Sequence, residues 1–178
     1  ASENLEAATA HFLRAAELDP SFALAHCGLG TSYIQRVLKV VGSREDLQKA
    51  AVAFDHALHL DPQIVEARAY RAMIDRLNGE TQRSREQLSL LRRDAPNSFE
   101  VQYLSAACYR FDGDYQNALN SYTVMLRIDP TAKVNVHYCR ARIFWYVGDF
   151  DRSFEELELA QMLEPNHPLV KFFFAIAT

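Results

Sequence analysis

Apolar residues recur along this chain at intervals of three and four. From Tyr115 they fall at Tyr115, Ala118, Leu119, Tyr122, Met125 and Leu126, and from Phe150 at Phe150, Phe154, Leu157 and Ala160. That spacing puts them on one face of a helix with 3.6 residues per turn. No segment alternates with period two, so the pattern predicts helices and no strands. Asp114 and Asp149 stand just before the two runs, where an acid caps a helix and opposes its dipole.

The ends of these runs are spaced regularly. Five prolines, Pro20, Pro62, Pro96, Pro130 and Pro165, close similar phrases such as Leu18-Asp19-Pro20 and Ile128-Asp129-Pro130. They lie 42, 34, 34 and 35 residues apart. Gly79, Gly113 and Gly148 keep the same beat, each 17 residues before a proline. Proline cannot continue a helix and restrains the residue before it. The alternation therefore cuts the chain into helical pieces of about four turns, and a fixed period of this length marks a repeat architecture.

The repeated residues resemble the tetratricopeptide repeat. Leu29, Gly30 and Tyr33, followed by Ala50, Phe54, Ala57 and Pro62, carry the resemblance in one unit. Tyr109, Gly113, Tyr115, Ala118, Tyr122 and Pro130 carry it in another. The resemblance implies an all-α fold, a right-handed superhelix of about four and a half to five helix-turn-helix repeats within one solenoid. Its expected divisions are residues 1–20 (the second helix of a partial repeat), 21–62, 63–96, 97–130, 131–165, and 166–178 (the first helix of a truncated repeat). Small residues at Gly30, Ala72, Ala106 and Ala141, and at Ala8, Ala50, Ser84, Ala118 and Ser153, let paired helices approach. Phe12, Phe54, Leu88, Tyr122 and Leu157 fill the gaps between neighbouring pairs, and stacking supplies the core.

The 42-residue unit holds an insertion between Tyr33 and Ala50. Its first helix is expected to run from near Phe22 to about Val41 and stop at Gly42. Ser43 with Asp46 then resembles a capping box that starts the next helix. Lengthened first repeats of this kind resemble the arrays appended to bacterial kinases, cyclases and winged-helix regulators.

Composition narrows the function. Hydrophobic residues make up 49% and charged residues 24%, which fits a packed domain rather than disorder. The net charge is −4, so the surface as a whole is not one that binds nucleic acid. Cys27, Cys108 and Cys139 form no disulfide framework and no zinc spacing, which favours a reducing, cytoplasmic setting. No apolar run reaches the length of a membrane span.

No phosphate loop, zinc-protease motif or activated nucleophile is present, so no catalysis, cofactor or metal is expected. His56 and His59 lack a third ligand. His137 and Cys139 are two apart and face differently on a helix. Glu155, Glu156 and Glu158 read as a solvated acidic face.

The resemblance places the inner wall of the superhelix on the first helices. Three ladders follow: Cys27, Ala69, Tyr103, Tyr138 and Phe172; Thr31, Met73, Ala107, Arg142 and Ile176; and Ile34, Arg76, Arg110 and Trp145. Candidate partner-binding residues are Arg76, Tyr103, Arg110, Tyr138, Arg142, Trp145 and Phe172. Aromatic rings would take apolar anchors, and Arg forks would take carboxylates or phosphates. The implied function is a protein-interaction scaffold that holds a peptide of acidic or aromatic character in a concave groove. Packing of these rings and guanidinium groups on one another is the competing reading. The family's Lys/Asn carboxylate clamp has no counterpart here, because Cys27, Gly28, Thr31 and Tyr70 occupy the matching places.

Arg71, Asp75 and Arg140 stand where the family has apolar residues, either as a part-exposed polar seam or as a buried network. The segment Leu169 to Ala177 is apolar nearly all round and is expected to be covered by a further helix or a second molecule. The alternative function is accordingly a regulatory or self-associating segment of a larger bacterial signalling enzyme or transcription regulator.

Overall fold

The computed structural model describes residues 2–38 and 42–177. They form the helices α1 (Ser2–Leu18), α2 (Ala23–Leu38), α3 (Arg44–Leu60), α4 (Val65–Leu77), α5 (Thr81–Asp94), α6 (Phe99–Phe111), α7 (Tyr115–Ile128), α8 (Lys133–Tyr146), α9 (Phe150–Leu163) and α10 (Pro168–Ala177). A short 3-10 turn, Pro130–Ala132, precedes α8. There is no strand among the described residues. The chain divides into two compact units, Ala1–Ala95 and Pro96–Thr178. In the first, α2 pairs with α3 and α4 with α5, and α1 packs on α2. In the second, α6 pairs with α7 and α8 with α9, and α10 packs on α9.

The spaced glycines are explained by the turn inside each hairpin. Gly79, Gly113 and Gly148 have φ of +93°, +75° and +78°, a backbone state that side chains with a Cβ rarely adopt. The next residue in each case donates its amide to the carbonyl five positions back. Glu80 bonds Asp75, Asp114 bonds Tyr109 and Asp149 bonds Phe144, all at 2.9 Å. This left-handed stop satisfies helix-end carbonyls. Asp114 then caps α7 and Asp149 caps α9.

The Asp-Pro phrase has a separate cause. The Asp19, Asp61 and Asp129 carboxylates accept the amides of Ser21, Gln63 and Thr131 at 2.9, 2.9 and 2.8 Å, folding the chain over after each second helix. Side-chain and backbone bonds from Ser21 and Thr131 hold the Asp19 and Asp129 carboxyls below the usual carboxylate range.

The insertion behaves partly as expected. Helix α2 begins at Ala23 and is described to Leu38. The expected extension to Val41 lies outside the described residues. Ser43 caps α3 with a full capping box: Asp46 N–H reaches Ser43 Oγ at 3.2 Å, and Ser43 N–H reaches Asp46 Oδ2 at 2.8 Å.

Small residues mark the closest approaches between paired helices. Ser153 Oγ donates to the Ala141 carbonyl at 2.9 Å. A Cβ on Gly30 would lie 2.8 Å from the Phe54 ring. Phe54, Leu88, Tyr122 and Leu157 are 0–3% exposed and belong to the core. Phe12, whose ring lies against Gly28, departs from that pattern at 37% exposed.

The charged departures from the repeat pattern combine both expectations: buried carboxylates are held by part-exposed cations. Asp75 is 1% exposed and pairs with Arg71, while Arg83 Nε lies 3.3 Å from its second oxygen. Arg71 also reaches Asp55 at 2.8 Å. Glu156 accepts from His137 Nδ1 at 2.7 Å and from Arg140 at 2.8 Å. The reading of the whole Glu155–Glu158 run as solvated is thus corrected at Glu156, which is 7% exposed. Its carboxylate pairs with the Arg140 guanidinium and with the His137 ring, both of which α8 turns toward α9.

Candidate functional site

Six of the seven candidate residues lie in the second unit, on the first helix of each hairpin and on α10. Arg76 lies in the first unit, half-buried in the last turn of α4. The other ladder positions of that unit are mostly core. Cys27, Ile34, Ala69 and Met73 are 0–2% exposed, so the expectation that they line an open wall is corrected. Apolar side chains of this size are held by the facing helices rather than by solvent-facing space.

In the second unit, α6 and α8 bring two guanidinium groups to one cluster. Arg110 and Arg142 both act electrostatically on the Tyr103 phenol and the Cys139 thiol. Burial pushes both of these groups up, and the two Arg charges only partly offset it. Tyr122 is raised too, by burial and by its hydrogen bond with Cys139. The thiol is therefore protonated at neutral pH and poorly nucleophilic. His137 turns to Glu156 and Cys139 to Tyr122, so the two form no dyad.

Both arginines rest on rings. The Arg110 guanidinium carbon sits 4.5 Å from the Phe111 ring centroid. That of Arg142 is 5.7 Å from Tyr138 and 5.9 Å from Tyr146, and the group donates to the Tyr146 hydroxyl at 2.9 Å. Among the described residues, neither Arg110 nor Arg142 is paired with a carboxylate. Stacking orients the two cations without neutralising them.

The aromatic candidates divide. Tyr138 meets Phe173 edge-on at 6.1 Å, and Trp145 meets Phe150, Phe154 and Phe173 at 4.7, 6.5 and 5.7 Å. Those rings are engaged in packing, as the competing reading required. Phe172 is not: it is 64% exposed, in line with Leu169 at 50% and Ile176 at 58%. Val170 and Phe173, at 1% and 6%, anchor α10, so the expectation of an all-round covered helix narrows to one open stripe.

Sequence reading missed Tyr122, Cys139, Phe111 and Tyr146 as members of the cluster. Their register beside Arg110 and Arg142 is the only signal that pointed to them. It also missed Glu156, for which the polar His137 and Arg140 on the facing helix were the clue.

No three His, Cys, Asp or Glu come together as a metal-ligand set among the described residues. The His26 and His56 rings lie 4.0 Å apart between centroids, with His26 Nε2 on the Pro20 carbonyl at 3.0 Å. No described helix is long and apolar enough to cross a membrane.

No protein-family model matches the sequence, and no curated protein matches it either. Solved structures do. A thermophilic TPR protein of Thermus thermophilus is similar over 97% of this chain and 90% of its own, with a TM-score of 0.78 and 15% identity. YrrB, a TPR protein with an unusual peptide-binding site, is similar over 98% of this chain and 85% of its own, at TM-score 0.62 and 21% identity. MamA is similar over 92% and 91%, at 0.59 and 15%. The fold is the tetratricopeptide repeat. At these identities the likeness is one of fold. The tetratricopeptide-repeat hairpin accounts for the 34-residue beat by its two fixed stops, the left-handed glycine and the Asp-Pro turn.

Proposed function

We propose that this chain is a protein-interaction scaffold without catalysis of its own, and that its second unit holds an anionic group of a partner segment on Arg110 and Arg142. One observation carries the reading: two half-buried, ring-stacked guanidinium groups act on the same Tyr103–Cys139 pair, and no carboxylate among the described residues pairs with either. A surface that leaves two oriented Arg forks without an acid is suited to a carboxylate or phosphate from outside. The likeness to YrrB, whose peptide-binding site is noted above, supports a peptide as the carrier. Tyr103, Tyr138 and Trp145 shape the seat, and Arg76 remains a candidate by its register alone.

The test is a random decapeptide library displayed on phage and panned against the protein and against its Arg110→Gln/Arg142→Gln variant. Enrichment on the native protein that is lost on the variant supports the seat. Equal enrichment on both, or none on either, refutes it.

Self-association is a second reading, favoured by the open stripe of Leu169, Phe172 and Ile176 on α10. Light scattering of the native protein and of Phe172→Glu separates the two. A monomer in both cases removes this reading.

A further inference from the structure

We infer that the anion held on Arg110 and Arg142 is the phosphate of a phosphorylated side chain, in preference to the carboxylate of Asp or Glu. This rests on the reading of the two arginines as an anion seat and names the group that fits it. Charge favours phosphate. Tyr103 of α6 and Cys139 of α8 pack on one core cluster, and both guanidinium groups act on that pair. An Arg side chain keeps its proton at every physiological pH, so two full positive charges are present. The helices around them supply nothing to answer those charges. Neither α7 nor α8 contains an acidic residue, and the one acid of α6, Glu100, stands in its first turn while Arg110 stands in its last. Beyond them, Asp149 is bonded to Arg152, and Glu156 to Arg140 and His137. A carboxylate from outside brings one negative charge and leaves one guanidinium over. A phosphate monoester brings about −1.5 to −2 at pH 7 and answers both.

Donor geometry favours phosphate as well. Each guanidinium carries a planar fork of N–H groups, and Arg142 spends one of its own on the Tyr146 hydroxyl at 2.9 Å. A carboxylate offers two oxygens, which a single fork covers bidentately. The three free oxygens of a phosphate monoester offer an edge to each of two forks. Phenols add neutral donors. Tyr146 accepts from Arg142, which leaves its own proton for an outside oxygen, and its side chain is 49% exposed. Tyr103 keeps its proton beyond the ordinary phenol range because it is buried. The forks also need little ordering on binding. Arg110 is stacked 4.5 Å from Phe111, and Arg142 lies 5.7 Å from Tyr138 and 5.9 Å from Tyr146.

The test starts from the most enriched acidic peptide of the panning experiment, labelled with fluorescein, and from a copy with phosphoserine in place of its acid. In anisotropy titrations the phosphoserine copy should bind the native protein at least tenfold more tightly. In Arg110→Gln and in Arg142→Gln, each verified as folded by circular dichroism, that advantage should shrink below about threefold, because one fork holds either group alike. A second measurement needs no variant. Inorganic phosphate and acetate, at constant ionic strength, each displace the labelled acidic peptide from the native protein, and phosphate should act at a concentration at least tenfold lower. Equal binding of the two peptides to the native protein, with both lost on the double variant, overturns the phosphate and leaves the anion seat standing. Equal displacement by phosphate and acetate does the same, as does a phosphoserine advantage that persists in both single variants. Panning that yields no acidic peptide, or an acidic peptide that the double variant binds equally, overturns the seat and the inference together.

Discussion

Glu156 is the residue on which the α8–α9 hairpin depends most sharply. It is 7% exposed and takes hydrogen bonds from His137 at 2.7 Å and Arg140 at 2.8 Å. Removing one member of a buried charged set leaves the others uncompensated, at a cost of about 3 kcal/mol or more. Glu156→Ala should therefore lower the urea midpoint by that equivalent, while Glu155→Ala, on the exposed side of the same helix, should leave it within about 0.5 kcal/mol. The sequence placed three acids in a row, and nothing in the run itself separates Glu156 from its neighbours. What separates them is the phase of α9 against α8, which depends on the hairpin geometry. Tyr122 gives a second residue-scale prediction. Burial raises its phenol above the ordinary value of about 10. As pH climbs past 10 the unfolded chain loses this proton while the folded chain keeps it, so the unfolded state binds fewer protons and stability falls with pH. Unfolding free energies measured between pH 8 and 11 should decline, and Tyr122→Phe should flatten the decline.

Helix ends are where the sequence was most readable. The 34- and 35-residue beat of Gly79, Gly113 and Gly148 corresponds to three identical left-handed stops, each closed by a 2.9 Å bond. No atom lies within 4 Å of a Cβ built on any of the three, so the cost of a side chain there is backbone strain alone. Gly113→Ala should destabilise by about 1 kcal/mol. The capping box at Ser43 was legible from its spacing to Asp46, and Ser43→Ala should likewise cost about 1 kcal/mol in chemical denaturation. The two variants probe opposite ends of helices and should add when combined, because the sites share no partner. The 3-10 turn Pro130–Ala132 was not legible, since Asp-Pro occurs at two other repeat ends, Asp19-Pro20 and Asp61-Pro62, without one. The open stripe of α10 was hidden for a different reason. Ten nearly uniform apolar positions carry no phase, and only the contacts of Val170 and Phe173 fix which side is core.

The molecule's net charge of −4 says little about what it binds. Some of its surface acids are paired with neighbouring cations, as in Lys49–Glu45 at 2.7 Å and Arg14–Glu17 at 3.2 Å. The informative charges are Arg110 and Arg142, which the sequence marked by ladder register and the structure leaves without a carboxylate among the described residues. Whether they would be paired was not readable from composition, because pairing depends on which helix faces which. The Kd of the most enriched library peptide for the native protein and for Arg110→Gln/Arg142→Gln, taken at 50 mM NaCl where exposed charges are least screened, is the most direct test of the account. Loss of a charged hydrogen bond costs about 1.5–3 kcal/mol, so binding should weaken at least tenfold in the variant. A Kd unchanged between the two proteins would contradict it.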